Sequence, residues 1–151
     1  VYLDVQYIID NSELGKFYKS KIQKIQEKNS NDLKIEKTLI KKKENEINNQ
    51  KNILKKEEID NKIKEINKLL KNYKSNLQKF NNEIIDNKKK YSEKILTVLN
   101  PILTSYVEKN KINLVIEKKN VLVGIKTLDI TNQIMILLNE ETIKKNLINE
   151  N

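Results

Sequence analysis

The side chains that most often do chemistry in proteins are missing from this chain, which has no His and no Cys. Zinc sites and nucleophile–base pairs built on those residues are out of reach, and so is a disulfide framework. Adjacent carboxylates occur at Glu57-Glu58 and Glu140-Glu141. Sequence neighbours on a helix do not share a face, and neither pair has the apolar setting that would raise a pKa for acid–base work. Gly15 and Gly124 are too isolated to cradle a phosphate, and Gly124 suits a bulge or a close backbone approach in a strand. The expectation is a protein with no catalytic residues, no metal site and no cofactor, and not an enzyme.

One constellation remains. Tyr73, Phe80 and Tyr91 are interleaved with lysines, an arrangement that can stack nucleic-acid bases on a basic surface. All three, however, occupy a heptad seam where packing between helices should bury them. Ile59, Ile63, Ile66, Leu70, Tyr73, Leu77, Phe80 and Ile84 follow one another at spacings of four and three, the repeat that keeps one apolar face against a partner helix. Upstream, Leu33, Ile40, Ile47 and Leu54 recur every seven residues. A fold-back near Lys56-Glu57 pairs them with Phe80, Tyr73, Ile66 and Ile59, each pair of residue numbers summing to 113. The same rule pairs Ile22 with Tyr91 and Tyr18 with Ile95.

These positions predict one long antiparallel hairpin. Its first helix should run from about Glu13 to Lys55, roughly 60 Å at the standard rise. The second should run from about Glu58 to Lys109, with a kink at Asn100-Pro101, where proline removes a donor. The seam is uneven, because Ile63, Leu70, Leu77 and Ile84 face Gln50, Lys43, Glu36 and Asn29 under the same rule. Ile25, Ile35, Leu39, Ile53, Leu69 and Ile85 lie beside it. They either broaden the contact stripe or offer scattered apolar contacts to an unfolded partner.

Strand-like sequence lies at both ends. Val1 to Ile9 is rich in β-branched and aromatic residues and stops at the capping cluster Asp10-Asn11-Ser12. Ile112, Leu114 and Ile116 alternate, Lys118-Lys119-Asn120 supplies turn chemistry, and Val121 to Ile125 resumes, which predicts a β-hairpin. Asp129 should cap a short helix bearing Ile130, Ile134, Leu137 and Leu138. The expected class is α+β. A small body of residues 1–12 and 100–139 carries a helical arm of residues 13–99 with its tip near 56–57, and a polar tail, 140–151, frays. Val5, Leu114, Ile116, Val121, Val123, Ile134 and Leu137 should form the body core, completed by partner chains because the body is small.

Charged residues make up 34% of the chain against 37% hydrophobic, with two Gly and one Pro, a balance suited to long solvated helices with a narrow apolar stripe. The formal charge is +9 and every positive charge is Lys. Base readers rely on Arg and on basic residues clustered on one face, so no specific nucleic-acid role is expected. Weak attraction to anionic surfaces, lipid included, fits better. No stretch approaches the roughly twenty apolar residues of a membrane span. The opening Val1-Tyr2-Leu3 lacks an initiator Met, as in a mature or trimmed form.

The run Leu99-Asn100-Pro101-Ile102-Leu103 with Tyr106, then Asn113 to Leu122, and finally Asp129-Ile130-Thr131, resembles the Skp/OmpH family of periplasmic chaperones. The opening Leu3-Asp4-Val5-Gln6 is similar to that family's first strand. The resemblance implies a homotrimer whose strand-rich bodies join and whose arms enclose unfolded outer-membrane β-barrel proteins without using nucleotide. It implies an ATP-independent holdase of the periplasm, with Ile35, Leu39, Ile53, Leu69 and Ile85 as candidate client contacts. A basic cluster attributed to lipopolysaccharide contact in the family has its nearest counterpart in Lys88-Lys89-Lys90, which lacks Arg and is left without a role. The residues by themselves also allow a scaffolding coiled coil that binds one folded partner, or a binder of anionic surfaces.

Overall fold

A computed structural model describes residues 1–149. Strand β1 (Tyr2–Leu3) is followed by helices α1 (Val5–Asn11), α2 (Glu13–Gln50) and α3 (Lys56–Lys109), strand β2 (Ile116–Glu117), and helix α4 (Thr131–Lys144). Single 3-10 turns at Lys118–Asn120 and Lys126–Leu128 connect β2 to α4. The chain divides into two compact units, Gln23–Asp86 and the two end segments.

The end unit differs from expectation at its start. The strand stops after two residues because Asp4 caps α1, its carboxylate accepting from the Tyr7 N–H at 2.9 Å. Val5–Asn11 is therefore helical, its β-branched composition overridden by the cap. Ser12 then does two jobs. Its N–H donates to the Ile8 carbonyl at 3.0 Å and closes α1, while its buried hydroxyl accepts from Gly15 N–H at 3.1 Å and opens α2. The neighbouring free donor, the Glu13 N–H, is taken by the Asn139 side chain of α4 at 2.9 Å. The first turn of α2 is thus fixed by a residue more than a hundred positions away.

Strands β1 and β2 pair in parallel, Tyr2 opposite Ile116 and Leu3 opposite Glu117. The expected β-hairpin is absent. Val121 to Ile125 lies outside any strand, because after Lys118–Asn120 turns the chain, no strand among the described residues is placed to pair with it. The core of the unit is Leu3, Ile8, Leu14, Tyr18, Ile95, Leu99, Ile130, Ile134 and Leu138. Each large apolar side chain buried there contributes about 1.5–3 kcal/mol by area. Of the core expected from sequence, Ile134 is fully buried and Val5 and Leu137 pack against the cluster. Val121 is half-buried, but Leu114, Ile116 and Val123 are exposed in the protomer. Leu114 precedes the two-residue β2, Ile116 lies on it and Val123 follows it, all outside the buried core.

Helices α3 and α4 close in the same way. After α3, Ile112 N–H reaches the Val107 carbonyl and Lys111 N–H the Glu108 carbonyl, with Lys111 left-handed at φ 52°. After α4, Leu147 N–H reaches Thr142 and Asn146 N–H reaches Ile143, with Asn146 at φ 54°. These are Schellman closures, with non-glycine residues in the position glycine prefers. The second one corrects the frayed tail. Thr142 is buried, donating to the Leu138 carbonyl at 2.7 Å, and Leu147 and Ile148 pack on the core. Residues 150 and 151 of that expected tail lie outside the described residues.

In the hairpin unit, α2 ends at Gln50 and the turn spans residues 51–55, a few positions before the expected tip. The reason is a cap. The Glu58 carboxylate reaches back to the Lys55 N–H at 3.0 Å and starts α3 early. The seam itself stands, with Ile40 and Ile66 buried and Leu33, Ile47, Tyr73 and Phe80 half-buried. Asn29 meets Glu83 and Glu36 meets Asn76, pairs whose numbers sum to 112, one from the expected value. Within the end unit, Tyr18 stacks on Tyr91 with ring centroids 4.4 Å apart, one helical turn from its expected partner Ile95. Helix α3 runs on through Pro101.

Candidate functional site

No group of three or more His, Cys, Asp or Glu is arranged to hold a metal among the described residues, so the surfaces are what remain to be read. The hairpin unit presents two kinds of side chain to water. The first is polar. Asn29 donates to Glu83 at 2.8 Å, Asn76 to Glu36 at 2.7 Å, and Lys43 to Glu65 at 2.8 Å. That last contact holds the Glu65 pKa below the ordinary glutamate value. The polar seam residues Asn29, Glu36 and Lys43 of α2 thus each find a partner on α3.

The second kind is apolar. Ile53 in the turn is 83% exposed, Ile35 68% and Ile85 63%, with Leu39 also exposed and Leu69 half-buried. Ile63 and Leu77, seam residues that face polar positions, are partly open to water as well. An opening of about 420 Å³ separates the helices near Ile47, Ile63 and Ile66 and is rimmed by Asn45, Asn48 and Asn67. Periodicity found these side chains, but it could not decide which would be covered. That depends on where the second helix lies.

The end unit carries a separate apolar surface along residues 114–128. Leu114, Ile116, Leu122, Val123, Ile125 and Leu128 are all exposed, Val123 at 93%. Single exposed apolar residues are ordinary, whereas a run of them marks an interaction surface. The run is pinned from within at Lys118 and just past its end at Asp129. Lys118 bridges Asp129 at 3.2 Å and Asp4 at 3.7 Å. The Asp129 carboxylate also accepts from the Thr131 N–H at 3.0 Å and from its hydroxyl, and that hydroxyl accepts from the Asp4 N–H at 2.9 Å. Asp129 sits one residue before the N-cap of α4, Ile130, yet serves the first turn of that helix. The spacing Asp129-Ile130-Thr131 signals the turn in sequence, but nothing in it names Lys118 or Asp4.

Burial works against the Asp129 charge, but the bonds from Thr131 and Lys118 outweigh it and hold its pKa below the ordinary aspartate value. The hydrogen bond to Asp129 in turn raises the Lys118 pKa. A depressed carboxylate stabilises the fold at pH values above its unfolded pKa, and that contribution is lost as pH falls through the folded pKa. The raised Lys118 pKa acts at the other extreme, its contribution fading only as pH rises through the folded value. The end unit should therefore lose thermal stability below about pH 4. Asp129→Asn should lower the melting temperature at neutral pH and flatten that acid limb, as read by circular dichroism melts from pH 3 to 7. An acid limb as steep as before would place the titration elsewhere.

A long antiparallel helical hairpin, joined in sequence to a small α+β unit, defines a coiled-coil architecture. The family described as Outer membrane protein (OmpH-like) matches residues 1–138, and the chain belongs to this OmpH-like family. The chain is similar in fold to a candidate outer membrane chaperone (OmpH-like) from Caulobacter crescentus. The TM-score is 0.84 at 14% identity, with 93% of this chain and 83% of that one covered. A search of the curated proteins finds no match. No helix is long and apolar enough to cross a membrane among the described residues.

Proposed function

We propose that the protein is an ATP-independent holdase of the bacterial periplasm that binds unfolded outer-membrane β-barrel precursors and prevents their aggregation, working as a homotrimer. One observation carries the reading: apolar side chains stand in water along a hairpin otherwise covered by Lys, Glu and Asn. Ile35, Leu39, Ile53, Leu69 and Ile85 are the client contacts. Each contributes on the order of 1 kcal/mol when a client partly covers it. Contacts that weak and scattered hold an unfolded chain without selecting one sequence. A scaffold for one folded partner would instead need a contiguous, shaped patch. The exposed run at residues 114–128 supports assembly through the end units, since three copies can cover one another there.

The +9 charge speeds encounter with acidic clients and favours weak contact with anionic lipid. Exposed charge pairs contribute only about 0–1 kcal/mol and are screened by salt. Salt should therefore slow capture more than it speeds release. The decisive variant is Ile35→Ser with Leu39→Ser and Ile85→Ser. It should keep the helicity and mass of the parent while releasing an unfolded β-barrel protein several-fold faster, and its suppression of aggregation should weaken accordingly. Protection equal to the parent's would mean that these residues only widen the seam.

A further inference from the structure

We propose that the Glu36–Asn76 hydrogen bond, supported by Asn29–Glu83, is the lock that sets the register of the hairpin. The apolar seam cannot do this well, because both of its sides repeat every seven residues. Sliding α3 by one heptad in one direction puts Ile40 opposite Phe80, Ile47 opposite Tyr73 and Leu54 opposite Ile66, and only Leu33 meets a polar residue, Asn87. In the other direction Leu33 meets Tyr73, Ile40 meets Ile66 and Ile47 meets Ile59. Either slip keeps nearly all the apolar burial that drives pairing.

The polar layer is different because its partners do not repeat. Glu36 and Asn76 are each half-buried and meet at 2.7 Å beside a groove of about 220 Å³ that Leu33, Phe80, Asn29 and Glu83 also line. The first slip sets Glu36 against Glu83, two like charges across the seam. The second sets it against Leu69, which offers no donor to a partly desolvated carboxylate. Asn29 reinforces the choice, since the first slip exchanges its acceptor Glu83 for Lys90, which accepts nothing. Lys43 adds less, because the second slip replaces its partner Glu65 by Glu58, another acid. A polar residue in a coiled-coil seam costs stability and excludes other registers, and here Glu36 excludes both neighbours.

The chain has no Cys, so paired cysteines report the register directly in the full-length protein. Ile47→Cys with Ile66→Cys reads the native register, and Ile47→Cys with Tyr73→Cys reads the first slip. Disulfide formed within one chain under mild oxidation is followed by its initial rate, with circular dichroism confirming helicity. The slipped pair should crosslink at less than a tenth of the native rate in the parent. Adding Glu36→Leu should raise that ratio at least threefold without lowering the melting temperature. Adding Glu36→Lys should raise it further, because a cation there finds Glu83 in the slipped register. A ratio that stays at the parent value in either background overturns the proposal.

Discussion

Replacing Val123 with Asp should break the proposed trimer into single chains that remain folded. Val123 is 93% exposed in the protomer and sits among Leu122, Ile125 and Leu128, which are also open to water. A carboxylate at that position costs the isolated chain almost nothing. Burying it against two other copies is expensive, because a charge taken from water without a partner either loses the interface or must take up a proton. The sequence alone placed Val123 in the body core, from which the same change would unfold the chain as well as dissociate it. Its exposure in the single chain is the ground for expecting dissociation without unfolding. Light scattering should show the mass falling toward 17.8 kDa while the melting curve of the end unit keeps its midpoint within a few degrees. An oligomer of unchanged mass would move the interface away from residues 114–128, and an unfolded chain would restore Val123 to the core.

The second large effect is expected at Gly15. A Cβ built there lies 1.9 Å from the Ile9 carbonyl oxygen and 3.1 Å from the Ser12 hydroxyl. The nearest obstacle is backbone, so no rotamer change relieves it, and α1 must move away from the first turn of α2. That movement strains the Ser12 bond to Gly15 and the seat of Ile8 in the core. Gly15→Ala should cost about 3 kcal/mol, the upper end for overpacking. At this size the corresponding fall in melting temperature is about 6–12 °C. Gly124→Ala is the control, since its Cβ meets the edge of the Tyr2 ring at 2.8 Å, a half-buried side chain of β1 whose ring can turn aside where backbone cannot. Its cost should stay below about 1 kcal/mol. Equal losses for the two would show that α1 is not held at this junction as tightly as the geometry requires.

The hairpin was legible in the sequence because a coiled coil carries its partner within itself. Heptads 33–54 and 59–84 name the seam, the direction of pairing and nearly the register, and the absence of His and Cys removes the commonest site chemistries without any coordinates. The apolar residues beside the seam were visible too, although their exposure was not. The ends of the chain were decided only by tertiary structure. Val1 to Ile9 and Val121 to Ile125 have strand composition, but a strand needs a neighbour to complete its ladder, and no residue within the segment says whether one exists. Asp4, occupied by Tyr7 and Lys118, turned the first into a helix. The second stayed out of the sheet, with residues 122–125 exposed. The last residues look polar when read singly, yet Thr142 and Leu147 are drawn onto the core by a helix closure that becomes visible only when α4 is packed. Helical seams are determined by local periodicity, whereas strands and caps are determined by whatever the rest of the chain brings alongside them.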